Sequence, residues 1–404
     1  MIAWVLPVAL VVAASASQRP DLLTLENAVA ANPKDVQTRQ RLADAYVAAG
    51  RPLDAVSHLR TATTLAPRNP SVWYALGQAY NHIKQIALAS FNQPPDAPWR
   101  MLISADALLE NGHLTDAFSL YRATLESLPS MITIHESIAR IYERTGHKEW
   151  ASIEAARFHL DPHSCITRRA MCEFHAGRFQ AALDAALEQS DTESRYWGAR
   201  AANELALASF KHLDTLPDSS ERRSVRAAMA QAQERYTDAV AELNAAVRLS
   251  PRQPELQYQL ATAYYSARDY DMSLATLSPL LQAYPDDLRL LNLKAQALLQ
   301  LQRADEALPI FKQLVERNPN ESKIKLALGR AYAQTGDFAA AIPLLEAQLD
   351  GDTDGSLHMQ LARAYVATGQ RDKATPLLTR SEELRKLDEQ QRAAATKNVI
   401  TAPK

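Results

Sequence analysis

From residue 36 onward one pattern of apolar, small and polar positions returns along the chain. Counting Val36 as position 1, Leu42, Ala43 and Tyr46 stand at positions 7, 8 and 11, and Ala55, Leu59 and Ala62 at positions 20, 24 and 27. Each set is spaced by three or four residues, which places it on one stripe of a helix. Gly50 at position 15 and Pro67 at position 32 interrupt the two stripes. The pattern predicts a helix, a turn and a second helix within 34 residues.

The same frame is found again from Pro254, with Leu260, Ala261, Tyr264, Ser273, Leu277, Leu280 and Pro285, and from Ser322, with Leu328, Gly329, Tyr332, Gly336, Ala341 and Leu345. Frames begin at residues 36, 70, 98, 132, 163, 192, 220, 254, 288, 322 and 355. Position 8 is always Ala or Gly: Ala43, Gly77, Ala105, Ala139, Ala170, Ala199, Ala227, Ala261, Ala295, Gly329 and Ala362. Only a close helix-to-helix approach demands this, because a larger side chain would hold the backbones apart. Position 15 holds Gly50, Gly112, Gly146, Gly177, Gly336 and Gly369, where the first helix must stop. Glycine there enters the left-handed cap conformation without steric cost. Pro67, Pro129, Pro251, Pro285 and Pro319 at position 32 end the second helix.

Trp73, Leu76, Gly77 and Tyr80 followed by Ala89, together with the complete frames above, resemble the tetratricopeptide repeat. The resemblance covers nearly all of residues 36 to 380. It implies an all-α fold, a right-handed α-solenoid of stacked helix-turn-helix repeats whose concave groove, lined by the first helices, binds segments of partner proteins. Physics points the same way, since one helix pair cannot bury its apolar face alone and stacked neighbours share a core.

Departures from the frame set the expected boundaries. Asp21, Leu25, Ala28 and Pro33 fit the second half of a frame, so residues 17–35 read as a half-repeat capping helix. An N-terminal array spans 36–210, an irregular joint containing Pro217-Asp218-Ser219-Ser220 spans 211–223, and a C-terminal array spans 224–380. The frames at 70 and 192 are about 28 residues long, lack the central glycine and share Ala-Leu-Ala-Ser-Phe at 87–91 and 206–210, which predicts degenerate pairs with altered turns. Residues 381–404 read as a charged capping helix and a tail, disordered from Ala393 onward.

The N-terminus carries a different signal. Residues 2–14 form an apolar run too short to span a bilayer, and Ala14-Ser15-Ala16 supplies a small-x-small cleavage pattern, so residues 1–16 read as a signal peptide. No Lys or Arg precedes the run, which leaves an uncleaved membrane anchor as the alternative. The expectation is export to a bacterial periplasm or cell surface, with no stable membrane insertion after signal removal. A formal net charge of −2 argues against nucleic acid as a partner, because phosphate binding needs surplus Lys and Arg.

No out-of-phase stretch has room for a catalytic domain, and no phosphate loop, nucleophile elbow or metalloprotease motif is present, so the chain reads as a non-enzyme with no cofactor. His163, Cys165, Cys172 and His175 form the one cluster that could take a soft metal ion. Its spacing matches no established zinc pattern, and positions 3 and 10 predict small buried side chains for the two cysteines. A continuous helix would separate their Cα atoms by about 10 Å, so no disulfide is expected.

The resemblance implies a groove lined from the first helices by Tyr74, Gln78, Asn81, Trp99, Arg140, Arg144, Arg168, Tyr196, Trp197, Arg200 and Asn203. Guanidinium groups and aromatic rings suit acidic or aromatic-containing peptides, while Glu136, Glu143 and Glu204 nearby leave ordinary solvated ion pairs as the alternative. The co-chaperone carboxylate clamp is not supported, since Gln40 and Asp44 occupy its Lys and Asn positions. The expected function is a protein-interaction scaffold in an envelope assembly, with a metal-binding protein and a self-associating structural repeat as alternatives.

Overall fold

The computed structural model describes residues 22–93, 96–397 and 400–403; the expected signal at 1–16 lies outside the described residues. Among the described residues every regular element is helical, as the frame predicts. The chain divides into two compact units, Met1–Ser250 with Asn398–Lys404, and Pro251–Lys397.

Unit 1 begins with α1 (Leu22–Ala31), α2 (Val36–Ala48), α3 (Pro52–Leu65) and α4 (Pro70–Ala89), each packed on the one before. Side-chain caps start several of these helices: Asp35 accepts from the Gln37 amide and Asn69 from the Ser71 amide, satisfying donors that a first turn leaves open. Two helix pairs follow, α5 (Ala97–Asn111) with α6 (Leu114–Ser127) and α7 (Thr133–Arg144) with α8 (Lys148–Arg157). After α9 (Ser164–Thr167), α10 (Arg169–His175) and α11 (Phe179–Leu187) come α12 (Thr192–Thr215), α13 (Ser220–Ala232) and α14 (Tyr236–Leu249).

The frames at 70 and 192 depart from the sequence expectation. Each is one continuous helix, α4 and α12, with no turn. Lys84 and Ala206 stand at position 15 there, and neither residue has a reason to leave the helical region. Losing both turns lets α4 and α12 pack along each other although Lys84 and Asn203, which bond across the pair, are 119 residues apart in sequence. Gly77 shows why position 8 is small here: a Cβ at that site would lie 2.4 Å from Phe210 Cε1. The expected joint at 211–223 also differs, since α12 runs through Thr215 and only 216–219 separates it from α13.

Unit 2 stacks four pairs, α15 (Pro254–Ser266) with α16 (Tyr270–Ala283), α17 (Leu288–Gln300) with α18 (Ala304–Arg317), α19 (Ser322–Thr335) with α20 (Phe338–Glu346), and α21 (Ser356–Ala367) with α22 (Arg371–Lys397). The charged helix α22 continues past Ala393 to Lys397, where disorder was expected, and residues 400–403 belong to unit 1.

All eleven position-8 residues are buried, from Ala43 to Ala362. Position 15 is left-handed wherever a first helix ends. The six glycines found there have φ between 72° and 85°, and Glu234, Arg268 and Gln302 take φ of 57°, 62° and 60° at the same position. The turn geometry thus persists where the glycine is missing, and those three side chains bear its strain.

Candidate functional site

The predicted groove residues separate into two groups. The first is absorbed by the α4–α12 pair. Asn81 and Asn203 are buried, Lys84 Nζ donates to Asn203 Oδ1 at 3.2 Å, and neither side-chain atom of Asn81 has a hydrogen-bond partner. Gln78 Oε1 is likewise buried without a partner, and the Tyr74 ring lies 6.5 Å from Phe210. Burial pushes the Lys84 ammonium down to about 8, since a desolvated cation is costly. These side chains hold two helices together and do not line an open groove.

The second group surrounds a cavity of about 760 Å³. Its apolar floor is Phe174 of α10, Phe179 of α11, Leu207 and Phe210 of α12, and Val225 and Met229 of α13. Its rim carries Glu110 of α5, Glu136 and Arg140 of α7, His175 of α10, Arg200, Glu204, Lys211 and Asp214 of α12, and Arg226 of α13. Both signs are present, and three pairs are formed. Arg140 lies 3.5 Å from Glu110, His175 Nδ1 is 3.2 Å from Glu136, and Arg226 is 2.9 Å from Asp214. The His175 hydrogen bond holds the Glu136 carboxyl below its ordinary range, while burial raises that of Glu204.

Arg200 is fixed from below. Its guanidinium carbon sits 4.7 Å from the Phe174 ring centroid and 5.4 Å from that of Trp197, a cation–π arrangement. It donates to the Tyr196 hydroxyl at 3.3 Å. Tyr196 and Tyr121 in turn donate to the two oxygens of buried Asp106, each at 2.6 Å. Burial favours the neutral form of Arg200, but Tyr196, Asp106 and Tyr121 outweigh it and hold the group charged. Asp106 was not among the groove candidates, although it stands beside position 8 on the face that the frame assigns to the groove.

The remaining candidates brace the scaffold. Trp99 lies 5.6 Å from Tyr196, Arg144 donates to the Leu109 carbonyl at 2.8 Å, and Arg168 pairs with Glu193 at 2.7 Å. Cys165 and Cys172 correct two expectations. They form a disulfide with their Cα atoms 5.6 Å apart, and both are half-buried rather than buried. The helix assumed to run through them breaks at Arg168, with φ −112° and ψ 45°, which folds α9 back toward α10. With both sulfurs bonded to each other no thiolate is offered to a metal, and His163 is exposed while His175 faces Glu136. Among the described residues no group of three or more His, Cys, Asp or Glu side chains could hold a metal ion. A second, apolar groove of about 490 Å³ lies between α3, α4, α11 and α12, with Leu53, Ile86 and Leu187 on its edges.

No curated protein matches the sequence significantly. Among solved structures the chain is similar to MamA of strain MSR-1, at 24% identity and a TM-score of 0.36 over 41% of this chain and 95% of that one. It is similar to MamA of Desulfovibrio magneticus RS-1, at 20% identity and a TM-score of 0.38 over 42% and 96%. A thermophilic TPR protein of Thermus thermophilus, TTC0263, aligns at 21% identity and a TM-score of 0.34 over 45% and 100%. Family models described as tetratricopeptide repeat match residues 41–90, 225–288, 258–322 and 292–356, and a second such model matches 15–64. These matches, the invariably small position 8 and the left-handed turn at position 15 agree in phase, and the chain belongs to the tetratricopeptide repeat family.

Proposed function

We propose that the chain is a non-enzymatic scaffold that binds a peptide segment of a partner protein in the unit 1 cavity. The observation that carries this reading is the pairing of an apolar floor with a rim that holds both acidic and basic side chains. Such a floor offers burial to one bulky side chain, and a rim of both signs fixes its orientation more than its affinity. Arg140, with its side chain 44% exposed and a 3.5 Å pairing to Glu110, is a rim cation able to turn toward a partner's carboxylate. The favoured ligand is a segment with an aromatic or large aliphatic anchor flanked by an acidic residue. Arg140 and His175 pair with Glu110 and Glu136, and Arg200 lies over the Phe174 ring, an arrangement suited to recognition.

Export to a bacterial envelope is part of the same proposal. The Cys165–Cys172 disulfide supports it, because structural disulfides persist in oxidising compartments, and the apolar run at 2–14 supports it as a signal. No helix among the described residues is long and apolar enough to cross a membrane.

Peptides selected from a random library on the full chain test the site. Arg140→Glu and Ala208→Trp, the latter filling the cavity from an exposed position on α12, are expected to weaken binding about tenfold or more each. Unchanged affinity in both variants refutes the assignment.

A further inference from the structure

A buried tyrosine at position 11 must find an acceptor for its hydroxyl, and three frames show how. Tyr46 donates to Glu26 Oε1 at 2.5 Å, and Tyr365 donates to Glu346 Oε1. Both carboxylates stand at position 25 of the preceding frame, on the helix just before the tyrosine. Tyr142 occupies position 11 of the frame at 132 and is fully buried, but position 25 of the frame before it is Arg122. A guanidinium has no lone pair to offer. The Tyr142 hydroxyl donates instead to the Thr401 carbonyl at 2.5 Å, 259 residues away in sequence, and Ile400 packs half-buried against the unit 1 core.

The surroundings of Tyr142 suit an added segment. Its ring lies 5.6 Å from Phe118 and 5.5 Å from Trp150, and Trp150 stacks on His147 at 4.3 Å. Among the described residues no helix after α8 packs closely along it, and Ile153 on α8 remains 47% exposed. The following first helix, α10, is short and meets the α7–α8 pair through His175, which lies 3.2 Å from Glu136 and packs near Phe158, so part of α8 is left uncovered.

We propose that the Tyr142 end of the α7–α8 pair is a docking site for an extended peptide, and that its occupant is this chain's own C-terminal segment around Ile400 and Thr401. The site reads a branched apolar side chain followed by a main-chain carbonyl, an acceptor that stands in for the missing position-25 carboxylate. This inference is independent of the unit 1 cavity, which lies on the other side of α7 from Tyr142's acceptor and involves Glu136 and Arg140.

Hydrogen exchange of residues 138–150 in the full chain tests it, against a chain ending at Lys397 and against Ile400→Asp. Both changes are expected to speed exchange of that segment about tenfold while α15 to α18 stay unchanged. A fluorescein-labelled peptide of residues 398–404 is expected to bind the shortened chain about tenfold more tightly than the intact chain, with Tyr142→Phe weakening that binding. Unchanged exchange in both variants overturns the proposal, as does a peptide that fails to bind the shortened chain at millimolar concentration or binds both chains equally. Protection that disappears on dilution overturns the choice of occupant in favour of the segment of a second copy.

Discussion

Replacing Gly77 by alanine sets two effects of opposite sign against each other. In an isolated helix the change stabilises by about 1 kcal/mol, because alanine loses less backbone freedom. In unit 1 the new Cβ would lie 2.4 Å, 2.6 Å and 2.8 Å from Cε1, Cζ and Cδ1 of Phe210. Carbon contacts need about 3.5 Å, so the ring must retreat by about 1 Å. Phe210 is 2% exposed and has Tyr74 6.5 Å away, which leaves little room. Overpacking of this kind costs about 1–3 kcal/mol, and three overlapping ring atoms put it in the upper half. The expected net loss is about 1–2 kcal/mol. Phe210→Leu removes Cε1 and Cζ, so in that background Gly77→Ala should recover the helical gain, giving a coupling of about 2–3 kcal/mol. Guanidinium unfolding of the full chain followed by tryptophan fluorescence measures it. Trp73, Trp99, Trp150 and Trp197 lie in unit 1 and residues 251–397 contain no tryptophan. A Gly77→Ala variant that is stabilised in both backgrounds, with coupling under about 0.5 kcal/mol, would refute the packing of α12 over Gly77.

Three further outcomes follow from the geometry. Arg268→Gly and Gln302→Gly remove left-handed strain of about 1–2 kcal/mol and add about 0.5–1 kcal/mol of chain entropy loss, so each should stabilise unit 2 by about 0.5–1 kcal/mol in hydrogen exchange. Unchanged or faster exchange would contradict the strain. Reducing the Cys165–Cys172 disulfide opens a loop with a separation of 7 residues, which should lower unit 1 stability by about 2 kcal/mol and speed tryptic cleavage at Arg168 and Arg169. Lys84 titrates at 10.5 unfolded and at about 8 folded, so between those values the unfolded chain holds more protons and stability must rise with pH. The rise is about 3 kcal/mol in all and should vanish in Lys84→Met, as denaturant midpoints at successive pH values will show.

The helix pairs and their turns were readable in the sequence because both depend on neighbours within one frame. A small residue at position 8 and a turn residue at position 15 act over fewer than four helical turns, so the pattern carries them directly. The α4–α12 contact was not readable in the same way. Its signal was present, in two short frames without glycine and the shared Ala-Leu-Ala-Ser-Phe string, but nothing local says that two segments so far apart meet. Asn81 and Asn203 were assigned to an open groove for that reason, whereas the long pair buries them. The disulfide was missed because Arg168 carries no helix-breaking signature, and the break comes from tertiary contacts to Glu193 and Ser130. Arg140 and Arg200 were legible as groove residues, and the structure brings both to the cavity, but the carboxylate that pairs with Arg140, Glu110, comes from another frame.

The return of α12 onto α4 separates this architecture from an uninterrupted tandem stack, and one distance decides between them. Spin labels at Ile86 on α4 and Leu187 at the end of α11, exposed by 54% and 51%, sit on the edge of the same apolar groove. With helices spaced about 8–10 Å apart, electron–electron resonance should give a separation of about 20 Å or less, label arms included. In an unbroken solenoid two whole repeats, those beginning at residues 98 and 132, would stand between the two sites, and a separation of about 50 Å would contradict the account.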